Sequence, residues 1–252
     1  MTKRRRVLIL GGTSEATALA ARASTLPEVE IIMSLAGRTR QPIDLSSGRD
    51  IKMRMGGFGG IAGLTEYLQK QQIDVLIDAT HPFAAQISFN AVAAAIESKI
   101  PHLMLMRPTW QPMPGDRWIE VASNEAAVTI LPNLGQRIFL TIGRQELATF
   151  AALQNLWFLM RMVDSPAPDA SLPPGELLLE RGPFDLQTER SLLQKYHIEV
   201  IVSKNSGGDA TYAKIVAARE LGLPVVMVQR PPVPKGDRVE SVEDALAWIN
   251  NI

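Results

Sequence analysis

Gly11-Gly12-Thr13-Ser14-Glu15-Ala16 follows a short apolar run and opens an amphipathic one. Glycines let a backbone come close to a pyrophosphate, and the free N–H groups of a helix start stabilise its charge. Ala16 stands where the last small residue of a full G-x-G-x-x-G would be, so the turn by itself also fits a tight β–α connection. The end of the next apolar run adds a second signal. It passes into Ser34-Leu35-Ala36-Gly37-Arg38-Thr39-Arg40 with no Asp or Glu to hold ribose hydroxyls. Arg38 and Arg40 suit a 2′-phosphate, which points to NADP(H). Two more loops follow strands in this half. Gly57 and Gly59 lie in a glycine-dense turn that admits a nucleotide close to the backbone, and Thr80-His81-Pro82-Phe83 follows a later strand. His81, before a proline, reads as a structural or cofactor-packing group in preference to a general acid.

The second half carries different chemistry at matching places. After its first strand Gly143 remains, but Arg144 and Gln145 replace the threonine and serine, as an anionic substrate would require. Lys204, Asn205, Ser206, Gly207, Thr211, Tyr212 and Lys214 form a donor-dense loop suited to carboxylates or phosphates, or alternatively a helix cap with solvated lysines. Tyr212 and Lys214 are too close for a Tyr-x-x-x-Lys pair. Arg161, at the end of a strand, is expected to face the same site. If a side chain supplies a proton, Glu146 is the first candidate; an acid in a first helical turn also simply complements the helix dipole.

These residues need a scaffold that presents strand ends. Apolar, β-branched runs at residues 7–10, 30–34, 75–78 and 102–106 alternate with helical patterns at 16–23, 61–71 and 84–98. This predicts a parallel sheet covered on both faces. The same order then recurs. Residues 6–15 are echoed by 137–146, 68–77 by 193–202, 99–108 by 222–231, and the GDR that starts at Gly115 by the one at Gly236. Four anchors keep their order with a drift of only about ten residues, which favours a duplication over chance. The expectation is an α/β protein of two tandem Rossmann-like domains, 1–134 for NADP(H) and 135–252 for substrate, joined near Gly135 at residues 131–136, with a cleft between them. The Pro-rich stretch 108–114 has a counterpart at 231–234 and reads as a loop of the fold, not a linker.

Composition excludes several classes. Lys+Arg and Asp+Glu are equal at 26 each, so no basic excess marks a nucleic-acid or anionic-membrane partner. The absence of cysteine removes disulfides and thiol chemistry, and the three scattered histidines form no metal-binding pair. No apolar stretch is long enough to span a membrane, so a cytoplasmic location is expected. Oligomeric state is open.

Taken in order, GGTSEA, GGFGG, DATHPFA, TIGRQEL and KNSGGDATYAKI resemble the precorrin-6A reductases of cobalamin biosynthesis, from about Val7 to Pro231. The resemblance implies transfer of a hydride from NADPH to a double bond of a tetrapyrrole, giving precorrin-6B. The acetate and propionate fringe of that macrocycle would explain the cationic second half. Two rivals stay open: a nucleotide-sugar transferase or epimerase with two Rossmann-like lobes, and a non-catalytic NADP(H) sensor.

Overall fold

The structure, a computed structural model, describes residues 4–37 and 51–252. Arg38 and Arg40, expected at the 2′-phosphate, lie outside the described residues. Two all-parallel six-stranded sheets carry the fold, with strand orders β12-β5-β4-β1-β2-β3 and β6-β11-β10-β7-β8-β9. The first contains β1 (Arg5–Leu10), β2 (Val29–Leu35), β3 (Ile51–Met55), β4 (Val75–Asp78), β5 (His102–Leu105) and β12 (Asp237–Val239). The second contains β6 (Arg117–Val121), β7 (Arg137–Thr141), β8 (Trp157–Met162), β9 (Gly175–Leu179), β10 (Val200–Lys204) and β11 (Pro224–Val228). Central strands are apolar along their whole length because both faces are covered: Val7, Leu8 and Ile9 are fully buried, as are Ile138, Phe139 and Leu140.

The helices follow from local signals. Thr13 caps α1 (Ser14–Ala23), and its side chain accepts from the Ala16 amide. Asp185 caps α5 (Leu186–Lys195), Ser123 caps α4 (Asn124–Ile130) and Ser241 caps α7 (Val242–Asn251) in the same manner. Gly222, at φ 66°, ends α6 (Ala213–Leu221). α2 (Gly60–Lys70) and α3 (Ala85–Ser98) complete the first sheet's cover through Leu64, Leu68, Ala91 and Ala94. Residues Arg144–Phe150, expected to begin a helix with Glu146 in its first turn, form a 3-10 segment.

The duplication is visible in the identical strand orders, but the division of the chain differs from the expected one. The compact units are Met1–Pro108 with Pro231–Ile252, and Thr109–Arg230. β6 and α4, expected in the first domain, belong to the second sheet, where β6 pairs with β11. β12 and α7 return to the first, where β12 pairs with β5. The repeats have exchanged their last strand and helix. Residues 131–136 therefore lie inside the second unit and are not a joint. The Pro-rich stretches after Pro108 and Arg230 are where the chain changes unit, contrary to their reading as ordinary loops. The physical reason is equivalence: the GDR strands at 115 and 236 present the same edge, so either sheet can accept either.

Candidate functional site

In the first unit the carboxyl ends of β1, β2 and β4 bring together most of the expected nucleotide residues. The Gly11 amide donates to the Ser34 carbonyl at 2.9 Å, and a side chain on Gly11 would collide with Met33. Gly12 adopts φ 124°, open only to glycine, and a Cβ built there meets nothing within 4 Å. The turn thus presents bare backbone. Thr13 is buried and spends its hydroxyl on the Ala79 carbonyl at 2.8 Å while capping Ala16, so it ties the glycine turn to the end of β4. Ser14 donates to Glu15 at 3.1 Å. Both carboxylate oxygens of Glu15 accept from one nitrogen of Arg107, Nη1, at 3.1 and 2.9 Å. Burial pushes the Glu15 carboxyl up, but its backbone amide and the Arg107 cation outweigh this and hold it below the usual range.

Beyond β4, buried Asp78 accepts from the amide and hydroxyl of Thr80 at 3.0 and 2.6 Å. His81 Nδ1 accepts from the Phe83 amide at 3.2 Å, a bond that shapes the turn. Thr13, Glu15, Thr80, Pro82 and Arg107 line one small pocket. At the end of β2, Ser34 is buried, and a Cβ on Gly37 would meet the backbone of Gly56 at 3.6 Å. A Cβ on Gly57 or Gly59 meets nothing within 4 Å, which leaves this loop as open as the first.

In the second unit the expected anion-binding residues separate into two groups. Arg161 and Lys214 are buried in internal partnerships. Arg161 pairs with fully buried Glu189 and lies 3.7 Å over the Phe184 ring. Lys214 donates to the Thr211 carbonyl at 3.0 Å and sits 5.1 Å from the Trp110 ring. Neither placement matches a cation open to substrate, because a buried charge is tolerated only with such partners. Lys204 and Glu146 form an ion pair with each other, and Arg144 reaches the Ser165 carbonyl at 3.3 Å. Gln145 lies beside them on the 3-10 segment.

Asn205 spends its amide on the backbone of Trp110, accepting at 2.8 Å and donating at 3.1 Å. Arg230 donates to the carbonyls of Asn205 and buried Ser206, both at 2.9 Å, and Gly207 takes φ 68°. Tyr212 accepts from Arg219, whose guanidinium forks onto Asp116, and that carboxylate raises the already high Arg219 pKa. Arg107, Trp110 and Arg230 escaped the sequence reading. The repeated Arg-Pro at 107–108 and 230–231 was the available signal for the two arginines; nothing local marked Trp110.

The family described as precorrin-6x reductase CbiJ/CobK matches residues 6–250. The precorrin-6A reductase of Rhodococcus erythropolis is 50% identical over 249 residues, covering 98% of each chain. That of Mycobacterium tuberculosis H37Rv is 44% identical over 245 residues, covering 97% of each. The cobalt-precorrin-6A reductase of Priestia megaterium is 27% identical over 255 residues. Among solved structures, a CobK precorrin-6A reductase superposes with a TM-score of 0.90 at 41% identity, covering 98% of this chain and 96% of that one.

Proposed function

The chain belongs to the precorrin-6x reductase family, and from that premise we propose that it reduces precorrin-6A to precorrin-6B with NADPH in cobalamin biosynthesis. The observation that carries this is end-to-end similarity to precorrin-6A reductases at 42–50% identity. Relatives named for the cobalt-containing substrate stand lower, at 27–30%. We therefore assign the metal-free macrocycle as substrate. No helix among the described residues is long and apolar enough to cross a membrane, and we place the reaction in the cytoplasm, where reduced dinucleotide is maintained.

The first unit suits the cofactor. Its glycine turn is open at Gly12, α1 begins beside it, and among the described residues no carboxylate follows β2 in the chain before Gly37. Bound NADPH supplies a hydride. The protein's part is to hold the two partners in register, so positioning carries most of the catalysis. Thr13 and Thr80 fix the loops on either side of the turn, and Arg107 orients Glu15 next to them. In the second unit the candidates to hold macrocycle carboxylates are Arg144, Gln145, Lys204 and the amides of the 205–207 loop. Glu146 positions the Lys204 ammonium, and its carboxylate is committed to that contact.

The test is an absorbance assay of precorrin-6A reduction with NADPH and, separately, NADH. Turnover with NADPH at a much lower KM than with NADH supports the reading. Tight NADPH binding with no reduction of the macrocycle would refute it.

A further inference from the structure

We propose that Arg54 reads the 2′-phosphate of NADPH, in addition to the Arg38 and Arg40 that the sequence offers for that role; this rests on the reading that the first unit holds that cofactor. The argument comes from comparing the molecule with itself. In both sheets a guanidinium sits at the carboxyl end of the second or third strand, 3.7 Å over a phenylalanine that stands two residues before the following helix. In the second unit the pair is Arg161 over Phe184, ahead of α5; in the first it is Arg54 over Phe58, ahead of α2.

The strand registers make the places equivalent. Arg6 pairs with Glu30 and Arg137 with Trp157, so Ser34 corresponds to Arg161. Arg54 is the direct register partner of Ser34 on β3 and donates to its hydroxyl at 3.2 Å. With the helices aligned on Leu68 and Leu193, one position decides the electrostatics. Where α5 carries Glu189, which neutralises Arg161, α2 carries the fully buried Leu64. The other Arg54 partners among the described residues are the carbonyls of Gly56 and Gly57 and the ring of Tyr67. Among the described residues no carboxylate pairs with it.

A cation fixed by neutral groups and stacked on a ring, with no counter-charge among the described residues, is prepared for an anion at little ordering cost. The open backbone of Gly57 and Gly59 lies on the same loop, and this strand end is where dinucleotide sheets receive the adenosine ribose. The second unit, with the same cradle closed by Glu189, has no such capacity.

Calorimetric titration with adenosine 2′,5′-bisphosphate and with 5′-AMP separates the possibilities. Wild-type protein should bind the bisphosphate more tightly. Arg54→Met should weaken the bisphosphate by about ten- to a hundredfold, the range expected for a charged hydrogen-bonded contact, and 5′-AMP by less than about threefold. Arg54→Lys, which keeps the charge but not the fork, should fall between, and guards against loss of the loop fold. Equal weakening of both ligands in the two variants, or of neither, would overturn the assignment while leaving the cofactor reading intact. Wild-type protein that binds the two nucleotides equally would overturn the cofactor reading and the assignment with it.

Discussion

Glu15 and Arg107 lie far apart in sequence and meet beside the glycine turn, so the pair is a product of the fold. Because the Glu15 carboxyl is held below its ordinary range, its contribution to stability is present above the unfolded value and lost as pH falls through the lower folded one. Urea midpoints measured from pH 7 to pH 3 should therefore drop more steeply for wild type than for Glu15→Gln; parallel curves would remove the pair from the stability balance. Arg161 and Glu189 are the stronger case, since both are buried. Glu189→Gln leaves a buried guanidinium short of its partner and should cost about 3–5 kcal/mol in urea unfolding. Replacing both, Arg161→Met with Glu189→Leu, should recover most of that loss, whereas a substrate-binding arginine would show the change in KM instead. Glu146→Gln should raise the KM for the macrocycle by releasing Lys204 while lowering kcat less than about tenfold; a loss nearer the ten-thousandfold limit of general acid catalysis would restore Glu146 as the proton donor. The sequence marked these charges as chemistry because it shows residue types. Burial and partnership are set by residues such as Glu189 and Trp110, which no local window contains.

The loop after β10 shows how elements cooperate. Trp110 stands just past the first change of unit and Arg230 just before the second, and both clamp residues 205–208. The indole N–H of Trp110 donates to the Gly208 carbonyl at 2.9 Å, and its ring lies 5.6 Å from that of Tyr212. The donor-dense loop is thus shaped by the two proline-rich crossings. Its counterpart after β4 is shaped differently, by Asp78 and Thr13, while Arg107 turns to Glu15. Asn205→Ala removes the two bonds to the Trp110 backbone and should cost about 1–3 kcal/mol, with amide exchange at 205–208 accelerating before that of β10. Exchange unchanged at the loop would show that Arg230 alone suffices. The loop's composition was legible in the sequence, since Lys, Asn, Ser and paired glycines announce a polar turn. Its function as a clamped element was not, because the clamp comes from nearly a hundred positions away.

Across the whole molecule, duplication was the most legible feature and the exchange of terminal elements the least. Repeated strand–helix patterns are carried by local residue types, but the choice of sheet for β6 and β12 is a tertiary decision between equivalent edges. That choice has weight. Ala245 and Ile249 of α7 are fully buried in the core built by Val7, Ile9, Leu19 and Ile77, and Arg5 holds the Ile249 carbonyl at 2.7 Å. A chain ending at Arg230 should expose that core and lose hydrogen-exchange protection over β1–β5 while keeping it over residues 109–230. Uniform protection would mean that β12 and α7 are dispensable. The exchange also reverses the usual order of birth. On the ribosome the N-terminal half of a two-domain protein ordinarily folds first. Here the later-encoded, contiguous unit is the first to have all its parts outside the tunnel, and the strands made at the very start must wait for the last helix to be translated.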